Sequence, residues 1–408
     1  MPGSEFAKKL LPPLIYAGGL GCLMLCDMII SSAFGVEDVA YWSKVRALNG
    51  LLAIACLLGL EQFLARFPER ASNVKRLLLV QIPLMALASA AVVAATDFLR
   101  PWFVAASIGV FSAVSISMFQ FYRGRNMFIL AQICQQSWKG IFLVGVVLYA
   151  VIPHDLSFSN VVEICALVSL AALALLNLLA RGGADLPARQ NAVLFSGGTR
   201  DVYGISFRLM AISSFTALSL YAEQVLVNAV GSDFAAAKYF THTIYFLFTS
   251  SLVTGYLAFI GVPWAIRNEA RFMRIFHEQK WQAIGLCVVF VLLFQLLAYG
   301  LWYVLTPKVG NVDFVLLSLF SISSISRLVY TYPASYFGAF GDKLSYNDLI
   351  LRQIGSLGLA VLVFLGLFLL LDLPSIYAVA LASAGNWVVR TGLGLQLIGT
   401  FASRQVAA

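Results

Sequence analysis

Nine charged side chains lie inside long apolar segments of this 408-residue sequence, where charge is costly. Five are cations and four are acids: Lys139, Arg208, Arg327, Arg352 and Arg390, and Asp27, Glu61, Glu163 and Glu223. A charge at the centre of a bilayer costs on the order of 3 kcal/mol, so such residues are expected to face a wet cavity or a partner. Cations lining a cavity concentrate anions, and arginine matches the geometry of phosphate and carboxylate. The five cations are therefore predicted to bind an anionic substrate.

The depth of each charged residue within its segment allows other roles than substrate binding. Lys139 and Arg327 fall near the middle of their segments, where the alternative is a buried structural ion pair. Arg208 and Arg352 lie one to two turns from a segment end and could instead reach the membrane surface. Among the acids, Glu61 could be neutralised by a neighbouring basic residue.

Composition determines the class of protein. Hydrophobic residues make up 61% of the chain and charged residues only 11%, with a mean hydropathy of +0.88. A soluble domain needs far more surface charge, and apolar runs of about 20 residues are long enough to cross a membrane as helices. The six cysteines lie within apolar runs without the spacing of a zinc site, so no metal or cofactor is expected. The sequence predicts an all-α polytopic membrane protein.

Twelve spans can be placed along the chain. Their approximate ranges are 10–34, 43–65, 77–96, 102–122, 127–152, 160–180, 203–229, 235–264, 281–306, 313–338, 346–371 and 375–400. A polar segment rich in Gly, Ser and Arg separates the first six from the last six. The predicted domains are an N-terminal six-helix bundle (1–180), a cytoplasmic linker (181–201) and a C-terminal six-helix bundle (202–408).

The two halves carry the same spacing of a carboxylate and two glycines. Asp27, Gly35 and Gly59 recur, each 196 residues later, as Glu223, Gly231 and Gly255. Internal repeats of this kind are common in secondary transporters, in which the substrate site lies between the repeats. Lys and Arg are concentrated in the segments that are cytoplasmic if the N-terminus is inside, so both termini are expected to be cytoplasmic. An even number of spans per half makes the two repeats parallel.

These features resemble a known superfamily. The end of the second span reads Leu58-Gly59-Leu60-Glu61-Gln62-Phe63-Leu64-Ala65-Arg66-Phe67, and the seventh span contains Tyr221-Ala222-Glu223-Gln224. Together with twelve spans in two parallel halves and a basic central linker, these segments resemble the multidrug/oligosaccharidyl-lipid/polysaccharide exporter superfamily. Within it they are similar to the O-antigen and exopolysaccharide flippases.

The resemblance implies a V-shaped pair of bundles that moves an undecaprenyl-pyrophosphate-linked oligosaccharide, an O-antigen or exopolysaccharide repeat unit, from the cytoplasmic to the periplasmic leaflet of a bacterial inner membrane by alternating access. By position, the five cations would line the lumen, and Asp27, Glu61 and Glu223 would be candidates for coupling to H⁺ or Na⁺. Expected partners are the lipid-linked oligosaccharide, membrane lipids, and polysaccharide polymerase and chain-length proteins. No nucleic acid is expected as a partner.

Two other functions remain open. A cation-coupled multidrug exporter of the same fold would be expected to have an acidic cavity, whereas the residues at mid-depth here are basic. A membrane polysaccharide polymerase or lipid-sugar transferase would need a catalytic constellation, commonly on a sizeable loop, and the loops predicted here are short. A transporter rather than an enzyme is therefore expected.

Overall fold

The computed structural model consists of helices connected by short segments. It describes residues 3–66, 71–125, 127–152, 155–180, 199–248, 250, 253–255, 257, 261, 264–266, 268–340 and 343–407. Most of the predicted linker, 181–198, lies outside the described residues. The chain groups into two compact units, Met1–Val225 and Leu226–Ala408, whose boundary falls within the seventh predicted span.

Within the described residues of the first unit, eight helices begin. They are α1 (Gly3–Ala33), α2 (Val36–Leu57), α3 (Leu60–Arg66), α4 (Ala71–Ala95), α5 (Trp102–Gly124), α6 (Phe128–Val151), α7 (Phe158–Leu179) and α8 (Thr199–Val230). Helix α1 packs along α6, while α5 lies at the centre and contacts α2, α3, α4, α6 and α7. The core of this unit is therefore built around α5.

The second unit begins with the end of α8. Its described elements are α9 (Asp233–His242), a π-helical continuation (Thr243–Phe248), α10 (Glu269–Glu278), α11 (Lys280–Leu305), α12 (Phe314–Phe340), α13 (Lys343–Leu365) with a π-helical end (Gly366–Leu370), and α14 (Ser375–Ala407). Helix α14 packs along both α12 and α13. The pair α12–α14 forms the centre of this unit.

The prediction of an all-α polytopic membrane protein is confirmed. Within the described residues, eight helices are long and apolar enough to cross a membrane. Large apolar side chains such as Leu79 and Leu296 point outward, and polar groups are buried, which is the reverse of a soluble protein. Helices occur at all twelve predicted spans, although the eighth is only partly described.

Asp313 fixes the start of α12. Its Oδ1 accepts hydrogen bonds from the backbone N–H groups of Val315 and Leu316, as an N-cap does. Its Oδ2 accepts from Lys238 Nζ at 2.7 Å and from Tyr377 Oη at 2.6 Å. Burial alone would raise the pKa of this carboxyl, but the hydrogen bonds outweigh burial and lower the pKa to about 2. The ionised carboxylate therefore connects α9, α12 and α14.

The second predicted span is broken at Leu58-Gly59, which the sequence analysis did not anticipate. Both residues adopt left-handed backbone conformations, with φ of 48° and 81°, and α3 starts in a new direction at Leu60. A Cβ on Gly59 would overlap the carbonyl oxygen of Ser206 and would lie 2.9 Å from the backbone nitrogen of Met210. Only glycine allows both the turn and this close approach of α8.

We expect Gly59→Ala to lower the melting temperature of the purified protein strongly. The left-handed conformation alone costs about 1–3 kcal/mol for a residue with a side chain, and the overlap with α8 adds to that cost. Thermal unfolding in detergent, followed by tryptophan fluorescence, would measure the change. Gly18→Ala in α1 is the control, because nothing lies within 4 Å of its added Cβ. Equal melting temperatures for the two variants would contradict the packing described here.

Candidate functional site

A buried charge cluster in the first unit surrounds Asp27. This residue lies on α1 with only 1% of its surface exposed. Its Oδ1 accepts a hydrogen bond of 2.6 Å from Trp42 Nε1 and lies 3.4 Å from Arg46 Nε, and both partners lie on α2. Trp42 and Arg46 are four residues apart, so they share one face of α2. The helix α2 thus supplies both of these partners of the acid.

Lys139 completes this cluster from α6. It is buried, interacts electrostatically with both Asp27 and Arg46, and donates a 2.5 Å hydrogen bond from Nζ to Gln136 Oε1. With one acid and two bases, the cluster carries a formal charge of +1. We define Asp27, Arg46 and Lys139 as the unit 1 cluster.

Small residues bring the helices of this unit close enough to form the cluster. A Cβ on Gly19 of α1 would lie 2.5 Å from Gln136 Cβ, so glycine lets α6 approach and places Lys139 one turn away. A Cβ on Gly50 of α2 would overlap the ring of Tyr221 on α8. The same α2–α8 contact includes a hydrogen bond of 3.3 Å from Gln224 to Ser43.

The second unit buries two arginines against one indole ring. Arg327 on α12 and Arg390 on α14 have 3% and 4% of their surfaces exposed. Their guanidinium carbons lie 4.9 Å and 5.0 Å from the ring centre of Trp387, and Arg390 lies 4.6 Å from that of Tyr330. Cation–π contact of this kind orients a guanidinium group without neutralising it. We define Arg327, Arg390 and Trp387 as the unit 2 cluster.

Polar groups around the unit 2 cluster fix its geometry. Gln353 on α13 donates a 2.8 Å hydrogen bond to Tyr330 Oη, and Thr391 on α14 donates to the carbonyl oxygen of Ser326 on α12. Trp387 Nε1 and Asn386 Oδ1 are buried but have no hydrogen-bond partner among the described residues. A buried polar atom without a partner is costly, so these two atoms are available for a polar ligand or water.

The structure brings some of the predicted site residues together and separates others. Lys139 lies in the unit 1 cluster, and Arg327 and Arg390 share the unit 2 cluster. Arg352 lies on α13, half-buried, and donates a 3.0 Å hydrogen bond to Gln396, which belongs to neither cluster. Arg208 lies on α8, but its side chain is outside the described part of the chain.

The three predicted coupling acids have different surroundings. Asp27 is paired with Arg46, as above. Glu223 is buried on α8. Glu61 is buried in the first turn of α3, where backbone N–H groups of Gly59 and Glu61 bind it. Its Oε2 has no hydrogen-bond partner among the described residues. Among those residues there is also no group of three His, Cys, Asp or Glu side chains that could hold a metal ion.

The sequence analysis missed three members of these clusters. Arg46 lies near the start of the second predicted span, where a charge does not stand out in the sequence. Trp42 and Trp387 carry no charge and were not singled out. The spacing of Trp42 and Arg46, and of Trp387 and Arg390, places each pair within one turn of a helix, which is a signal the sequence does contain.

Comparison with known proteins supports the fold. No protein-family model and no curated protein matches this sequence. One solved structure, described as the inward-facing conformation of a multidrug resistance MATE family transporter of the MOP superfamily, matches with a TM-score of 0.60. It is 14% identical, and the match covers 95% of this chain and 96% of that chain. The protein therefore has the fold of that transporter and crosses the membrane several times.

Proposed function

We propose that the protein is a transporter that moves a lipid-linked, anionic saccharide from one leaflet of a bacterial inner membrane to the other. The observation that carries the proposal is the unit 2 cluster, in which two guanidinium groups lie against one indole ring. The N–H of this indole has no hydrogen-bond partner among the described residues. All three groups are donors, and two are cationic, so their natural ligand is an anion. A pyrophosphate bears the required charge and several acceptor oxygens.

The unit 1 cluster also favours a negatively charged substrate. Asp27 offsets one of its two cations, which leaves one formal positive charge in a buried setting. Charges interact more strongly in a setting of low dielectric constant than in water, so a small excess is enough to favour anions over cations. Neither cluster has a formal excess of negative charge.

The mechanism that fits these features is alternating access. Arg327, Arg390 and Lys139 would attract the head group, while the lipid chain stays in the bilayer. Glu61 is the best placed of the three candidate coupling acids, because its carboxylate is buried with one oxygen lacking a described partner. Proton or sodium binding there would offset a buried negative charge. The termini would be cytoplasmic, and enzymes of polysaccharide assembly would be functional partners.

A multidrug exporter is the second candidate, because the solved transporter with the same fold is described as one. A cationic drug would be repelled by the formal charge of both clusters. An exporter of anionic or neutral compounds would not be repelled, so substrate charge is the property to test.

We expect the purified protein in liposomes to accelerate transfer of a fluorescent undecaprenyl-pyrophosphate oligosaccharide between leaflets. Dithionite quenching of the outer leaflet would measure transfer, with protein-free liposomes as the control. Excess unlabelled pyrophosphate-linked lipid should inhibit it, whereas a lipophilic cationic dye should neither inhibit it nor be transported. Transport of the dye without transfer of the lipid would refute the proposal in favour of the exporter.

A further inference from the structure

Each unit contains an apolar pocket of similar size. The pocket of the first unit has a volume of about 480 Å³ and that of the second about 450 Å³. The clusters described above do not line either pocket. Both volumes fall in the range of sites that hold a small molecule or part of a lipid.

The two pockets occupy corresponding places in the order of helices. The first is lined by the start of α4, the end of α5 and the end of α7, which are the third, fourth and sixth predicted spans. The second is lined by the start of α11, the later part of α12 and α14, which are the same three spans of the second half. Ile275 and Phe276 of α10 and Leu257 of the eighth predicted span also line it. Two pockets built alike in a repeated fold indicate a shared use, because chance gaps need not recur at one place.

The chemistry of the two linings also corresponds. Each has apolar walls, a lysine near the start of the third span and a side-chain amide on the sixth: Lys75 and Asn177 in one, Lys280 and Gln396 in the other. Each lysine ammonium lies over an aromatic ring, 3.7 Å from the centre of Phe121 and 5.6 Å from that of Trp281. A cation therefore lies at one end of each apolar pocket.

Both pockets open on the outer surface of their helices. Leu79 and Trp281 line the pockets yet have 75% and 74% of their surfaces exposed. Exposed apolar residues of a membrane protein face lipid, and a lysine at a helix end lies at the level of the lipid headgroups. A bilayer lipid can therefore enter each pocket from the side.

The helix α10 extends this surface in the second unit. Phe272 stacks on Tyr332 with 4.1 Å between ring centres, while Arg271 and Arg274 are exposed. A short helix with one packed aromatic face and basic residues on the other lies in the membrane interface and attracts anionic lipids. The acidic residues Glu269 and Glu278 offset Arg271 and Arg274 in formal charge, so the net positive charge beside this pocket comes from Lys280.

We propose that each pocket holds one acyl chain of an anionic glycerophospholipid, with the phosphate bound by Lys75 in the first unit and by Lys280 in the second. These lipids are structural partners rather than the transported substrate, so the inference does not depend on the proposed function. A cation beside each pocket selects an anionic lipid over a zwitterionic one, in which the headgroup amine competes with the lysine. Arg125, which lies 4.2 Å from the ring centre of Phe121, and Arg352, which donates a hydrogen bond to Gln396, add positive charge near the two pockets.

Native mass spectrometry of the full chain tests the proposal with phosphatidylglycerol as the probe. Two tightly retained lipids are expected, and Lys75→Gln or Lys280→Gln should each weaken binding at one site about 5-fold. Arg76→Gln and Arg271→Gln are the matched controls, because these exposed residues do not line a pocket. Filling one pocket by Val114→Trp or Val329→Trp should lower the retained number to one, whereas the exposed-surface controls Leu84→Trp and Leu293→Trp should keep two.

Three results would overturn the proposal. They are retention of phosphatidylethanolamine as tight as that of phosphatidylglycerol, unchanged retention in both lysine variants, and retention of undecaprenyl phosphate with no phosphatidylglycerol at all. The lysine variants alter exposed side chains, so they keep the test decisive even if a tryptophan variant fails to fold. If a lysine variant loses phosphatidylglycerol but still transfers the oligosaccharide normally, the bound lipid is distinct from the transported substrate, and the proposal is supported.

Discussion

Replacement of Arg327 or Arg390 by glutamine should reduce transfer of a pyrophosphate-linked lipid about 10- to 100-fold, because a hydrogen bond to a charged group contributes about 1.5–3 kcal/mol. The two arginines lie within 5.0 Å of the ring centre of one tryptophan, so each variant removes part of a single anion site. The double variant should lose little more than the worse single variant, since residues acting as one unit are not additive.

The controls for this prediction separate binding from folding. Lys308→Gln removes an exposed cation of the same unit and should leave transfer unchanged. The melting temperature of each arginine variant, measured by thermal unfolding in detergent, separates loss of the anion site from loss of the fold. Normal transfer in both single variants would refute the anion site, whereas a collapsed melting temperature would assign the arginines to structure.

Conservative substitutions test which property of the unit 2 cluster binds the substrate. Arg327→Lys retains the charge but loses the planar group that stacks on Trp387, and it should recover only part of the transfer rate. Trp387→Phe keeps a ring for the arginines but removes the indole N–H, which has no hydrogen-bond partner in the described part of the chain. A lower transfer rate in Trp387→Phe would indicate that this N–H binds the substrate, and an unchanged rate would indicate that it does not.

Much of the fold could be predicted from the sequence because hydropathy directly reports which segments meet lipid. The predicted spans and the observed helices differ mainly at their ends and at Leu58-Gly59, where α2 and α3 separate. The interfacial helix α10 was not predicted, since it is too short and too polar to be a span. Its amphipathic pattern, with Phe272, Ile275 and Phe276 on one face, is visible in the sequence. The structure adds that Phe272 packs on Tyr332.

The candidate site was predictable in its charges but not in its contacts. Lys139, Arg327 and Arg390 stand out in sequence because charge inside a span is rare. Their neighbours come from other helices, and helix rotation about its own axis decides which side chains meet. Arg352 illustrates the limit, since it is also a cation within a predicted span but forms a hydrogen bond with Gln396 outside the cluster.

Replacement of Asp27 by asparagine should destabilise the first unit by about 3–5 kcal/mol, as expected when one partner of a buried ion pair is removed. The variant removes the acid from beside the partly buried Arg46 and the buried Lys139. Asparagine can still accept the hydrogen bond from Trp42, so the loss comes mainly from charge. Thermal unfolding in detergent would measure it, with Asp155→Asn, which alters an exposed acid of the same unit, as the control.

A second substitution distinguishes the structural role of Asp27 from ion coupling. Lys139→Met added to Asp27→Asn restores the formal charge of the cluster to +1, so the double variant should regain most of the lost melting temperature. Two results would contradict this account: a single variant as stable as the wild type, or a double variant less stable than the single one. A stable single variant that transports without its ion dependence would instead make Asp27 the coupling acid. The stabilities of the single and double variants thus show whether Asp27 mainly offsets the charge of Arg46 and Lys139. A structural role of this kind is compatible with anion transport, because the same two cations would attract the anionic substrate.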